Sequence, residues 1–426
     1  MTTALLTDRY ELTMLVSALR DGTARRQCVF ELFARRLPEG RRYGVVAGTA
    51  RLIDAIAEFT FDAEAIDHVR STDVINDQTA QFLATYRFAG DIDGYPEGEL
   101  YFPQSPVLTV TGTFAEAVVL ETLALSVLNH DCAVASAGAR MVTAAAGRPI
   151  IEMGSRRTHE RAAVAAARSA YLAGFASTSN LEASRRYGVP TAGTAAHSFT
   201  LLHNDERAAF AAQVDAFGPS TTLLVDTYDI TRGIELAVEV AGPSLGAIRI
   251  DSGDLGVLAK HARAELDRLG ATGTRIVLSG DLDEYSIASL AAAPVDAYGA
   301  GTAVVTGSGA PTAGMVYKLV EVDGRPVAKR SEHKESHGGR KTALRAYKPT
   351  GTAIEEIVTS ERDVEPSEGE RLLQRAFVRA GSPVPAGPTL EQSRDHLRDA
   401  TITLPWDGLK LSKGEPAIPT RIVPAS

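Results

Sequence analysis

The chain has 426 residues, of which 44% are hydrophobic, enough to bury a sizeable core and to form two domains, or one large barrel with an appendage. Its 53 acidic against 44 basic residues give a formal net charge of -9, which argues against a nucleic-acid groove; any anion must be caught locally by a few arginines and backbone amides. Cys28 and Cys132 stand too far apart for a disulfide framework or a zinc cluster, and no uninterrupted apolar run reads as a signal peptide or a membrane span, so a cytoplasmic protein with no membrane partner is expected.

In chain order, the first hundred residues mix helical spacing, as in IDAIAEF, with extended segments such as CVFELFARRL and ELYFPQSPVLTVTG, the pattern of an α+β domain. Residues 115–146 have helical apolar spacing, interrupted by Asn-His-Asp and closed by Gly147, and predict one long helix or two joined ones. Short apolar strands then alternate with helices. PIIEMGSRR, GVPTAGT, TLLVDTYD, AIRIDSGD, RIVLSGDLD and VDAYGAGT read as strands, with helices near 160–173, 233–240, 256–269 and 284–291. Repeated βα units mean parallel strands, and the polar or glycine-rich tail of nearly every strand marks where such a sheet gathers its site. From Met315 the barrel pattern stops. MVYKLVEVDGRPVAKR reads as strand with a DG turn, and the proline-punctuated tail, helical at EQSRDHLRDA, is expected to return to the N-terminal domain. The expected layout is an α+β domain of residues 1–120 completed by 318–426, and an α/β barrel of 121–317 carrying the active site.

The strand tails supply the chemistry. YGAGTAVVTGSGAP, residues 298–311, sets Gly299, Gly301 and Thr302 where backbone amides and a hydroxyl can meet phosphate; a glycine-rich loop alone is more often just a tight turn. LSGDLDE, residues 278–284, adds Ser279 and Gly280 on the preceding strand, and two adjacent loops make a phosphate cradle. AIRIDSGD drives an apolar strand into Arg249 and Asp251, which share a face and need a ligand or each other. In EMGSRRTHE, Arg156 and Arg157 offer planar forks for carboxylate or phosphate, one of them expected to be an ordinary surface charge. FASTSN carries small hydroxyl and amide groups that could equally cap a helix, and His197 follows a Gly-Thr turn in a run of small residues that leaves the imidazole accessible. His261 and His333 lie among charges and are expected to face solvent.

Taken together, LTDRYELTM, EMGSRR, FASTSN, GTAAHSF, IRIDSGDL, VLSGDLDE and GAGTAVVTGSGAP resemble the nicotinate phosphoribosyltransferase family in order and context, over residues 4 to 320. The resemblance implies the type II phosphoribosyltransferase fold, an irregular, truncated α/β barrel against an α+β domain, working as a homodimer with shared sites. It implies transfer of ribose-phosphate from phosphoribosyl pyrophosphate to nicotinate, the first step of NAD salvage from nicotinate, with Mg2+ on the departing pyrophosphate and ATP as co-substrate. It gives His197 the γ-phosphate of ATP and Asp251 the ribose as the catalytic pair. Tyr10 would stack on the pyridine from the neighbouring subunit, with Thr194, Arg156 and Arg249 on the substrate. Ser279, Gly280, Gly299, Gly301, Thr302 and Lys318 would meet phosphate. Met153 stands where relatives using nicotinamide carry phenylalanine, and Ser179 where they carry an aspartate that accepts from the amide. A serine hydroxyl donates to a carboxylate whereas an aspartate repels it, which favours the acid. The rival readings are a nicotinamide or quinolinate phosphoribosyltransferase, a barrel aldolase or isomerase of sugar phosphates, and a silent nucleotide sensor. The second wants a catalytic lysine or glutamate at a strand end, and none is convincingly placed.

Overall fold

The computed structural model describes residues 2–329, 337–361, 364–384 and 387–424; His333 lies outside them. Two compact units emerge, Met1–Ser136 with Ala310–Ser426, and Ala137–Gly309. The helix Glu121–Ala145 runs from one unit into the other, so the division falls inside it rather than at its start.

The first unit is built on a seven-stranded antiparallel sheet whose middle is formed by Met315–Val322, Gln27–Ala34, Leu108–Thr113 and Asp91–Gly94. Seven of the eight residues of Gln27–Ala34 are buried, as befits a central strand, and Phe30, Leu32, Val110 and Tyr317 belong to a single apolar core with Leu12, Leu15, Phe59 and Tyr86. At the expected DG turn Asp323 and Gly324 both have positive φ, the geometry of a two-residue hairpin loop. The tail adds a four-stranded sheet containing Thr342–Tyr347 and Ala353–Thr359, and the helix Leu390–Ile402, started by a Thr389–Gln392 capping box.

The expected break at Asn-His-Asp does not occur. A capping box at Thr113 and Glu116 starts a short helix, Phe114–Val118, and Glu121–Ala145 then runs unbroken through all three polar residues. Each has a partner that leaves the helical backbone undisturbed: Asn129 bonds the backbone of Met315, and Asp131 takes both Arg51 and His130. By length and hydropathy the stretch Phe114–Ala145 passes for a membrane span, yet 67% of its most apolar window is buried within the protein, as in a core helix.

The second unit holds six parallel strands in the order Ser177–Thr178, Ile150–Glu152, Ala297–Ala300, Arg275–Ser279, Ala247–Ile250, Thr222–Leu224. All four residues of Ala247–Ile250 are buried, because helices cover a parallel sheet on its faces. The expected helices appear as Glu160–Leu172, Ile230–Ala241, Leu255–Arg268 and Glu284–Ser289. GVPTAGT is not a strand: a single bridge joins Thr178 to Thr191, since Pro190 has no N–H to give a ladder. The neighbouring strand is the two-residue Ser177–Thr178, and the short helices Leu181–Tyr187 and His197–Leu202, too brief to show a period, follow it.

Candidate active site

The carboxyl ends of these strands surround two adjoining cavities that share Met153, Arg156, Arg249 and Asp251. One, of about 170 Å³, is lined also by Ser279, Gly280, Asp281, Gly299, Gly301 and Thr302. The other, of about 280 Å³, is lined by Ser179, Thr194, Ala195 and His197. A larger cavity of about 430 Å³ in the first unit, between Met14, Cys28, Phe114 and Leu319, also has Asp21 and Arg26 in its wall, and none of the strand-end residues named above reaches it.

Arg249 is the buried centre of the pair. It leaves the apolar strand 8% exposed, its Nε donates to Ser279 Oγ at 3.0 Å and its Nη1 to Thr194 Oγ1 at 2.7 Å, and its Nη2 lies 3.4 Å from Asp251 Oδ1. The internal ion pair and the open cavity thus coexist. Ser279 donates in turn to Asp251. Burial pushes the Asp251 carboxyl up, but the Ser279 hydroxyl, the Arg249 guanidinium and His197 together hold it below the usual aspartate range, so it is an anion at neutral pH. Arg249 therefore carries a fixed positive charge beside a fixed negative one, both facing the space a ligand would fill.

Gly280 has φ +113°, and a Cβ there would fall 2.2 Å from the carbonyl oxygen of Asp251, so the turn after Ser279 demands glycine and brings two strand ends together. Arg156 and Arg157 are both exposed and both line the smaller cavity; only Arg156 reaches the larger one as well. Asn180 does cap the helix Leu181–Tyr187, leaving Ser179, exposed, to line the cavity.

His197 is the first residue of its short helix, its side chain 39% exposed. Its Nδ1 lies 3.1 Å from Thr227 Oγ1, and its Nε2 faces Asp226 Oδ1 at 4.0 Å. Asp226 is 2% exposed; its Oδ2 accepts from the Asp251 amide at 2.8 Å and from Ser252 at 3.1 Å, while its buried Oδ1 has no hydrogen-bond partner among the described residues. Glu206 is also buried with an unpartnered Oε1, and burial, reinforced by Asp229 and Asp226, pushes its carboxyl up to about 7. His261, partly buried, bonds Thr231 rather than standing free in solvent.

The sequence reading passed over Asp226, Thr227, Glu152 and Glu206. Asp226 carries the same signal that exposed Asp251, a charge directly after an apolar strand. Glu206 gave none, since neither burial nor an unpartnered oxygen can be read from a helix start, and Glu152, the last residue of its strand, carries the signal but lines neither cavity.

Tyr10 and Lys318 belong to the first unit. Tyr10 is 45% exposed rather than a core aromatic, and partial burial with the nearby Glu121 carboxyl pushes its phenol up.

The family model of the nicotinate phosphoribosyltransferase N-terminal domain matches residues 5–129, and that of the nicotinate phosphoribosyltransferase family matches residues 149–377. The chain belongs to the nicotinate phosphoribosyltransferase family. Within it, the chain is 64% identical to nicotinate phosphoribosyltransferase pncB1 of Mycobacterium tuberculosis, over 99% of this chain and 95% of that protein. It is 40% identical to pncB2 of the same organism, over 94% and 88% of the two chains. Among solved structures, human nicotinic acid phosphoribosyltransferase superposes with a TM-score of 0.84 at 26% identity, covering 98% of this chain and 97% of that one. The six parallel strands with a separate α+β unit are thus the type II phosphoribosyltransferase architecture, as expected.

Proposed function

We propose that the two cavities are one site in which the pyridine nitrogen of nicotinate attacks the anomeric carbon of phosphoribosyl pyrophosphate, releasing pyrophosphate and forming nicotinate mononucleotide. The observation that carries this reading is the continuous lining. Arg249, with Ser279 and Thr194 as its hydrogen-bond partners, spans the border between a small polar cavity sized for a phosphate and a wider one that can take a flat ring.

The larger cavity receives the ring beside Met153, with Ser179, Thr194 and Arg156 toward its carboxylate; the smaller receives the 5′-phosphate against Gly280, Gly299, Gly301 and Thr302. A pyridine lone pair needs no general base, so the residues act by positioning and electrostatics. Asp251, ionised at the cavity border, sits where a carboxylate can accept the ribose hydroxyls and oppose the positive charge that grows on the sugar as the carbon–oxygen bond to pyrophosphate breaks. Among the described residues no three His, Cys, Asp or Glu side chains stand together to hold a metal alone. That fits Mg2+, which binds through substrate phosphates with one or two carboxylates; Asp251 and Asp281 on the smaller cavity are the candidates. Bound there, Mg2+ would neutralise the leaving pyrophosphate.

His197 is the residue proposed to take the γ-phosphoryl group of ATP, its nitrogen displacing ADP and water later releasing phosphate. Its exposure leaves it reachable, Thr227 fixes the ring, and the buried free oxygen of Asp226 can steady an imidazolium. The phosphohistidine would add about two negative charges at the cavity wall and so couple ATP hydrolysis to the hold on substrate. Tyr10 is proposed to act across a homodimer, and Lys318 to meet phosphate. The test is a side-by-side assay of nicotinate, nicotinamide and quinolinate with phosphoribosyl pyrophosphate and Mg2+, with and without ATP. Mononucleotide from nicotinate, increased by ATP, is expected. Preferred use of either other pyridine overturns the substrate assignment, and indifference to ATP overturns the role of His197.

A further inference from the structure

Glu152 lies on the strand Ile150–Glu152, 1% exposed, and its carboxyl takes no part in the chemistry above. Its hydrogen-bond partners among the described residues are neutral: one oxygen accepts from the Gly154 amide and the other from the Thr178 hydroxyl. Burial pushes the carboxyl up, and the two hydrogen bonds only partly offset this. An acidic group in such a place is expensive unless its hydrogen bonds do something an apolar residue could not.

What they do is join separate loops. Gly154 begins the turn that carries Ser155 and Arg156. It can sit there only as glycine, because a Cβ would lie 2.2 Å from Val305 Cγ1. Thr178 is fully buried; besides giving its hydroxyl to Glu152 it receives the Asn180 amide at 3.0 Å, and Asn180 reaches back to Ser155 Oγ at 2.9 Å. The Thr178 amide donates to Pro190 and its carbonyl accepts from Ala192, anchoring the segment that leads into Thr194 and His197. The Ser179 amide donates to the Glu152 carbonyl at 2.8 Å. The carboxyl itself bonds two wall segments of the larger cavity, at 153–156 and 178–180, and reaches the third, at 190–194, through the backbone of Thr178. The smaller cavity shares Met153 and Arg156 with the first of these, but its other walls do not depend on the carboxyl. Met153 N–H bonds the carbonyl of Ala300 by ordinary strand pairing, and Arg249 and Ser279 hold their own loops.

We propose that Glu152 is the positioning residue that sets the width of the ring-binding cavity, by fixing Arg156 and Ser179 on one side and Thr194 on the other. The inference rests on the reading of that cavity as the nicotinate site. Glu152→Ala is expected to raise KM for nicotinate at least tenfold while KM for phosphoribosyl pyrophosphate stays within twofold. Thr178→Val should do the same in smaller degree, with the double variant no worse than Glu152→Ala. Glu152→Gln, whose carbonyl can still accept from Gly154, should recover most of the loss. Hydrogen exchange supplies a readout independent of turnover: the amides of 154, 179, 180 and 192 should exchange at least tenfold faster in Glu152→Ala, and those of 276–279 should not change. An unchanged nicotinate KM, equal losses in both substrates, or exchange that rises throughout the unit overturns the proposal. If Glu152→Ala does not fold, Thr178→Val and Glu152→Gln decide it by the same measurements. A wild-type enzyme that ignores nicotinate sinks the functional reading, and the exchange pattern then still decides whether Glu152 holds the three loops.

Discussion

Both units bury an arginine between acidic groups, and the two arginines differ in what surrounds them. Arg345, 1% exposed in the first unit, donates to Glu99 at 2.6 Å and to Glu356 at 2.8 Å and lies 5.3 Å over the Phe102 ring. Its carboxylates are themselves saturated: Glu99 takes Arg371 and His396, and Glu356 takes Tyr95 and Ser105. Burial alone would push Glu99 up, yet these cations hold it far below the usual glutamate range. Arg249, 8% exposed in the second unit, has Ser279, Thr194 and Asp251, but its surroundings open onto cavities, and nearby Asp226 keeps a buried oxygen without a hydrogen-bond partner. The same side-chain chemistry is scaffold where the charges are paired internally, although Arg345 Nε has no partner among the described residues. It is a site where partners are left for something to bring.

That contrast predicts opposite phenotypes. Arg345→Ala leaves two buried carboxylates uncompensated and should cost about 3–5 kcal/mol, the range for breaking a buried ion pair. For a chain of this size that lowers the apparent Tm by roughly 5 °C in thermal unfolding, with kcat/KM of the surviving folded enzyme little changed. Arg249→Ala should do the reverse, lowering kcat/KM by about a thousandfold, roughly 4 kcal/mol of transition-state stabilisation, while the apparent Tm moves by only a few degrees. Equal thermal losses in the two variants would erase the distinction between scaffold and site.

Much of that distinction was legible in the sequence, because a charged residue at the end of an apolar run conflicts with its surroundings. Arg249 and Asp251 were found this way, Ser279 and the glycines at 280, 299 and 301 by the small-residue loops that end their strands, and the structure gathers them around two adjoining cavities. Strand order was harder to read. Ser177–Thr178 is two residues long, and its edge position depends on pairing with Ile151 and Glu152, contacts far apart in the chain. Glu152 itself reads as the last residue of an apolar strand, and only its 1% exposure and the neutrality of its hydrogen-bond partners reveal it as unusual. The stretch 115–146 was expected as one long helix or two joined ones and is two, Phe114–Val118 and Glu121–Ala145, but the joint does not fall at Asn-His-Asp, because Asn129 and Asp131 have partners elsewhere in the chain and His130 bonds Asp131.

A smaller effect sharpens the substrate side. Ser179→Asp places a carboxylate where a hydroxyl now lines the ring-binding cavity, and steady-state kinetics should show KM for nicotinate rising about tenfold, near 1.4 kcal/mol, with nicotinamide less affected. Unchanged kinetics for both would remove Ser179 from the recognition of the acid.

The smallest expected effect is on pH dependence. Burial carries the Glu206 carboxyl from its ordinary value near 4.5 up to about 7, so the folded state prefers the protonated form. Its contribution to stability is fully present below about pH 4.5 and is lost as pH rises toward 7, after which the deficit is constant. Glu206→Gln, neutral throughout, should gain a few degrees of apparent Tm over wild type at pH 8 compared with the same difference at pH 5. A difference independent of pH would mean that Glu206 is paired in solution.

The central claim is that the two adjoining cavities form a single site for a ribose-phosphate and a pyridine acid, and a crystal structure with nicotinate mononucleotide bound tests it most directly. The account predicts the phosphate among Gly280, Gly301 and Thr302, the ribose hydroxyls on Asp251, and the ring carboxylate near Ser179 and Thr194. A nucleotide bound with its ring among the glycines, or outside both cavities, would contradict it.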